Sequence, residues 1–193
     1  RSGAPKSVAR FFFACAAVGP SKLYVVGGHD NQKNALKSAE AYDADANEWT
    51  TLPPMAEERD ECQGLAWDGE ARFWVVSGYG TKNQEEFRYD VEYYDPTTGS
   101  WSKVDEAWPF ERTNPKGCTI SVRVNSGCQW WWLLGVEGPL QQHGGLKEYE
   151  EKEKKWNVVS SIPLPNSIIT GTSSCVTPLG FSGFSYSTSC LHV

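Results

Sequence analysis

Apolar residues in this chain come in short runs set between turn-forming Gly, Pro, Asn and Asp, and the runs are rich in β-branched and aromatic residues. That pattern predicts strands rather than helices. The first group of runs covers Phe11 to Val18, Lys22 to Gly28, Ser38 to Asp43 and Asn47 to Leu52. Gly19-Pro20 breaks the first run, and Pro53-Pro54 closes the last. In Ser38 to Asp43, Ala39 and Ala41 alternate with Glu40 and Tyr42, the period-two signature of a strand. A second group follows at Glu61 to Ala66, Arg72 to Gly78, Asp90 to Asp95 and Ser100 to Val104. Its last turn, Asp95-Pro96-Thr97-Thr98-Gly99, has strong hairpin chemistry. A third group is Gly117 to Val124, Gln129 to Gly135, Gly145 to Tyr149 and Lys155 to Val159, with the charged stretch Glu150 to Lys154 as a solvated hairpin tip.

The three groups are copies of one unit. Tyr42, Tyr94 and Tyr149 are each followed seven residues later by a Trp, namely Trp49, Trp101 and Trp156, and the Trp-to-Trp steps are 52 and 55 residues. Each pair lies downstream of an apolar run that ends in glycine: Val25-Val26-Gly27-Gly28, Val75-Val76-Ser77-Gly78, Leu133-Leu134-Gly135. A repeat of this length and content is that of a kelch-type propeller blade. The expected fold is all-β, a fragment of a kelch-type β-propeller with about three four-stranded blades and partial flanking elements. The blades are expected at 11–54, 55–104 and 105–165, after a loop tail at 1–10. Residues 166–193 would hold a partial strand (Ile168 to Val176) and an atypical, poorly ordered tail, since Trp156 to Val193 carries no Asp, Glu, Lys or Arg. Closed propellers use about four to eight blades, so the chain is expected to be part of a longer propeller. Trp130, Trp131 and Trp132 fall in a second strand and read as inter-blade packing, because both faces of a blade are covered by its neighbours.

Composition narrows the function. A net charge of -6 and a pI near 5.1 argue against a nucleic-acid or anionic-membrane partner. No apolar run is long enough to span a bilayer, and Arg1 to Lys6 lacks the apolar core of a signal peptide. The six cysteines form no C-x-x-C pair and have no His partner at zinc-site spacing. Four of the six stand at comparable points of successive repeats and read as compact buried residues of inner strands, in a reducing, cytoplasmic or nuclear setting. His29, His143 and His192 lack ligand partners at recognised spacing. The carboxylates of Glu57-Glu58-Arg59-Asp60-Glu61 read as ion-paired or solvated, and no Gly-rich phosphate loop precedes a helix. A binding scaffold is expected, with no catalytic residue, metal or cofactor.

Strand order places the long connections at one end of the blades: His29 to Lys37, Pro53 to Asp60, Tyr79 to Tyr89, Asp105 to Lys116 and Val136 to Gly144. Long loops on a rigid scaffold are where recognition residues concentrate. The candidate contacts for a target protein are His29, Asp30, Arg59, Asp60, Tyr79, Arg88 and Arg112. Arg59 and Arg112 are candidate anchors for an acidic peptide; the alternative for Arg59 is to pair with Asp60 or Glu61 or to brace a neighbouring blade. Tyr79 and Tyr89 could supply aromatic contact area. Gly28 and Gly78 are expected to serve the fold rather than a ligand.

Several stretches stand in a recognisable order: Phe11-Phe12-Phe13-Ala14-Cys15-Ala16; Val25-Val26-Gly27-Gly28-His29-Asp30 with Lys33-Asn34-Ala35-Leu36; Met55-Ala56-Glu57-Glu58-Arg59-Asp60-Glu61-Cys62; and Phe73-Trp74-Val75-Val76-Ser77-Gly78-Tyr79-Gly80-Thr81. Over about residues 7 to 165 the chain resembles the plant F-box/kelch-repeat proteins. The resemblance implies an N-terminal F-box, not among these residues, that docks a Skp-like adaptor of a cullin ubiquitin ligase. It implies a kelch propeller that holds the target on its long-loop face. Several members are similar to adaptors that turn over phenylpropanoid enzymes, notably phenylalanine ammonia-lyase; others act in cytokinin signalling. The alternative is a stand-alone kelch interaction module without ligase recruitment.

Overall fold

The computed structural model describes residues 3–66, 71–108 and 114–115, and the backbone of the strands between 118 and 163. The chain forms two compact units, each described here by itself; strands β1 to β8 lie in the first and β9 to β12 in the second.

In the first unit, β1 (Ala14–Val18), β2 (Lys22–Val26), β3 (Ala39–Asp43) and β4 (Glu48–Leu52) form an antiparallel meander in the order β1-β2-β3-β4. A second meander holds β5 (Gln63–Leu65), β6 (Phe73–Val76), β7 (Val91–Asp95) and β8 (Ser100–Val104). Local chemistry closes the outer hairpins. The Asp43 carboxylate accepts from the amides of Asp45 and Ala46 at 2.9 and 3.0 Å. Asp95 does the same for Thr97 at 2.8 Å, and Gly99 takes the left-handed φ of +67° that ends this turn.

Both inner strands start later than the sequence pattern predicts, at Ala14 and Gln63 rather than Phe11 and Glu61. The cause is backbone conformation: Phe12 and Glu61 stand at φ 52° and 51°, outside the β region, so neither can continue a ladder.

The two sheets share a core. Alanines 14, 16, 39 and 41 of the first blade leave room for the aromatics of the second, and Tyr24 stacks on Phe73 with centroids 5.5 Å apart. Each buried aromatic of this kind stabilises by about 1.5–3 kcal/mol. The inner strands approach closely because Gly64 has no side chain; a Cβ there would lie 2.8 Å from the Cys15 amide nitrogen. Cys62 is buried, its Sγ 3.3 Å from the Arg59 carbonyl, whereas Cys15, expected as a simple buried cysteine, is disulfide-bonded.

In the second unit, β9 (Cys118–Asn125), β10 (Gly127–Leu134), β11 (His143–Glu150) and β12 (Lys155–Pro163) form one antiparallel sheet in the order β12-β11-β10-β9. Trp130 to Trp132 lie on β10, a second strand, as expected. The hairpin tip at 151–154 and the segment 166–193 fall outside the described residues. In all three sheets the repeat's Tyr and Trp are direct cross-strand partners: Tyr42 with Trp49, Tyr94 with Trp101, Tyr149 with Trp156. In the first two blades the rings also touch, with centroids 5.0 and 5.4 Å apart. There the indole N–H reaches back to a preceding carbonyl, Trp49 to Ala4 at 2.8 Å and Trp101 to Pro53 at 2.7 Å.

Candidate functional site

Glycines build the long-loop edge of the first unit. Gly28 and Gly78 leave the second strand of their blades at φ +79° and +88°, and a Cβ would meet the Phe11 carbonyl at 2.2 Å or the Asp60 carbonyl at 2.7 Å. Only glycine permits that approach. It allows a short bridge just beyond each strand, Phe11 with His29 and Asp60 with Tyr79, each closed by two backbone hydrogen bonds. The loops then interlock. Gly28 donates to the Arg59 carbonyl at 2.8 Å, Arg59 donates to the Leu36 carbonyl at 3.1 Å, and the Ala35 amide donates to the Thr81 hydroxyl at 2.9 Å.

Arg59, a candidate peptide anchor by sequence, is enclosed and has no exposed surface. Its guanidinium donates to Glu92 at 3.1 Å and Asp90 at 2.9 Å, and to the Ser77 carbonyl at 2.7 Å. A side chain so occupied cannot grip a peptide; Arg59 pairs with neither Asp60 nor Glu61 but braces the blade that its own loop enters, not a neighbouring one. Arg10 does the same one repeat earlier. It donates to Glu40 at 2.9 Å, to the Gly27 carbonyl at 3.0 Å and to the Ser38 carbonyl at 2.9 Å. The two buried glutamates also accept loop amides, Glu40 from Ser7 at 3.0 Å and Glu92 from Ala56 at 2.8 Å. Each of the first two blades therefore ties its entering loop to its third strand through one Arg–Glu pair.

Arg88 belongs to the same network. It is half-buried between Asp90, at 3.0 Å, and Glu57, at 3.2 Å. Burial pushes the Asp90 carboxyl up, but the hydrogen bond from Arg88, the Arg59 charge and Lys103 outweigh it and hold that carboxyl well below the usual range. Glu40 is likewise lowered: burial opposes its charge, and hydrogen bonds from Ser7 and Arg10 prevail.

The other candidates lie along the loop edge, His29 and Asp30 half-buried and Asp60 and Tyr79 buried. His29 places Nδ1 3.1 Å from both carboxylate oxygens of Asp60, and its ring stacks on Phe11 and Phe12 at 5.6 Å each. The Tyr79 hydroxyl donates to Glu61 at 3.1 Å, and its ring meets Phe87 edge-on. Burial, then the neighbouring Asp60 and Glu61 carboxylates, push the Tyr79 phenol well up. Asp30 shapes its own loop, accepting the amides of Gln32 and Asn34 at 2.8 and 2.9 Å. Tyr89 is exposed. Arg112 falls outside the described residues. Among the described residues no group of three or more His, Cys, Asp or Glu side chains could hold a metal ion.

Sequence reasoning missed Arg10, Glu40, Asp90 and Glu92 as the partners that fix this edge, and Phe11 and Phe12 as parts of its surface. A signal for the glutamates was present: each stands two residues before its blade's Tyr, as Glu40-Ala41-Tyr42 and Glu92-Tyr93-Tyr94.

Comparison with known proteins places this geometry. The kelch motif matches residues 10–56, the first blade with its bracing arginine. The F-box/kelch-repeat protein SKIP20 of Arabidopsis thaliana is 47% identical over 176 residues, covering 88% of this chain and 41% of that protein. The chain belongs to the F-box/kelch-repeat family. A second F-box/kelch-repeat protein of that plant, At2g44130, is 45% identical over 93% of the chain and 42% of its own length. This F-box/kelch-repeat chain thus spans about two fifths of the length of these curated relatives. The solved structure of YjhT aligns with a TM-score of 0.56 at 17% identity, covering 82% of this chain and 53% of that one, a likeness of fold alone. The expected all-β, kelch-type propeller architecture is therefore shown.

Proposed function

We propose that this chain is the target-binding kelch part of an F-box adaptor in a Skp–cullin–F-box ubiquitin ligase, directing bound proteins to ubiquitination and proteasomal degradation. One observation carries the reading: close similarity to F-box/kelch-repeat proteins along nearly the whole chain. The interlocked loops suit it, since they give a rigid edge on which His29, Asp60 and Tyr79 are fixed relative to one another. Candidate targets are phenylpropanoid enzymes such as phenylalanine ammonia-lyase. The Skp-like adaptor and cullin would be reached through an F-box in the whole gene product, and the target through the long-loop edge.

The test is to express the whole gene product in plant cells and measure two things. One is co-purification of the Skp-like adaptor. The other is the half-life of phenylalanine ammonia-lyase, with and without proteasome inhibition. Adaptor recruitment with faster, inhibitor-sensitive turnover of the enzyme supports the full reading. Adaptor recruitment without that turnover removes this target alone. Target capture without adaptor recruitment leaves a stand-alone kelch interaction module and removes the ligase role.

A further inference from the structure

The edge shared by the first two blades carries two adjacent exposed aromatics, Phe11 at 50% and Phe12 at 54% relative exposure. Both stack on His29, which is pinned to Asp60. Phe12 holds a left-handed φ of 52°, a conformation that Asn or Gly adopts far more readily than Phe. Its backbone therefore does not call for a phenylalanine, and about half of the side chain is open beyond its contact with His29. The equivalent residue of the second blade, Glu61, has the same backbone at φ 51° with a different side chain. The fold keeps the conformation and varies the group it presents.

Charge on this edge runs opposite to the expectation of an acidic peptide. Arg59 is enclosed, and Arg88 is committed to Asp90 and Glu57. Next to Phe11 and His29, the buried Asp60 and Tyr79 position the half-buried Glu61, which lines an open depression together with Gln84, Glu85, Glu86, Phe87 and Asn114. Among the described residues, the exposed lysines of these loops, Lys33, Lys37 and Lys82, do not line it. An apolar shelf beside a carboxylate-lined depression complements one kind of protein segment and repels its acidic counterpart.

We propose that this edge binds a target segment in which an aromatic or aliphatic side chain is flanked by lysine or arginine, the apolar group lying on Phe11 and Phe12 and the cation entering the depression beside Glu61, Glu85 and Glu86. The proposal rests on the reading of the chain as a protein-recognition module and names the chemistry that module selects.

The experiment uses the whole gene product and short fluorescent peptides of three kinds: Leu/Phe with Lys/Arg, the same apolar residues with Glu, and the same with Ser. Binding is followed by anisotropy at two salt concentrations. The basic peptide is expected to bind about tenfold or more tighter than the acidic one, with the margin shrinking at high salt. Phe11→Ser with Phe12→Asn is expected to weaken it about tenfold, and Glu61→Lys with Glu85→Lys to reverse the preference. All four positions are exposed or half-buried, and matched melting curves confirm that the variants fold. Equal or tighter binding of the acidic peptide, no binding of any peptide, or indifference to these variants overturns the proposal. So does protection of Phe11 and Phe12 from hydroxyl-radical labelling in the free whole protein, since another part of the chain would then cover the shelf. Retention of the Skp-like adaptor alongside any of these failures removes this inference and leaves the ligase reading standing.

Discussion

The first and second blades are built on one brace and present two different surfaces. Beneath, Arg10 and Glu40 match Arg59 and Glu92, down to the carbonyl each arginine caps at the end of the second strand, Gly27 or Ser77. Above, the first blade has exposed Phe11 and Phe12 beside half-buried His29, where the second has half-buried Glu61 beside buried Asp60 and Tyr79. Buried charges tolerate little change, because an unpaired partner left in the interior costs far more than the pair contributes. Exposed loop positions are free of that constraint. The braces also differ in one atom. Arg59 uses Nε on Glu92, whereas Arg10 Nε has no protein partner among the described residues. The third repeat departs further: two residues before Tyr149 it has Lys147 in place of Glu, and the pairing of β11 with β12 shifts register between Leu146 and Lys147.

The largest effect is expected from the brace itself. Arg59→Ala should cost about 3–5 kcal/mol by stranding Glu92 and Asp90, and Arg10→Ala somewhat less because its bonding is incomplete. Chemical denaturation of both variants measures the order; an Arg59→Ala protein that melts like the parent would show that the pair is not the shared foundation of the blades.

Gly28→Val comes next. The left-handed backbone alone costs about 1–3 kcal/mol in a non-glycine residue, and the 2.2 Å approach to the Phe11 carbonyl adds to it. Lower soluble yield and an earlier melt are expected. A well-folded Gly28→Val protein that loses only target binding would move this glycine from fold to function.

Acid should then act on both braces together. Glu40 and Asp90 have carboxyls held below their unfolded values. Their contribution is therefore fully present above the unfolded carboxylate range, about pH 4. It is lost as pH falls from there toward the depressed folded values, where the native state takes up its protons. Melting temperature should decline below about pH 4, less steeply in Asp90→Asn. An identical acid profile in that variant would remove Asp90 from the account.

The smallest effect is expected at the surface. Phe12→Asn should leave stability within about 0.5 kcal/mol, with any change in the stabilising direction because Asn accepts the left-handed φ. A loss comparable to that of Arg59→Ala would mean that the aromatic shelf belongs to the core.

By itself the sequence determined the repeat, the four strands of each blade and the equivalent place of each Trp, seven residues after its Tyr. These follow from strand periodicity and turn chemistry, which are local. It also marked Gly28 and Gly78 as positions of special backbone. The fate of the charges was decided only by the tertiary structure. Arg59, Arg88, Asp30 and Asp60 read alike in a polar loop, yet one is enclosed, one half-buried in ion pairs, one caps its own turn and one pins a histidine. Which of these a residue becomes depends on whether a partner from another strand reaches it before water does, as Glu92 reaches Arg59 from more than thirty positions away in the chain. Long-range packing sets that distance, and no run of neighbouring residues encodes it.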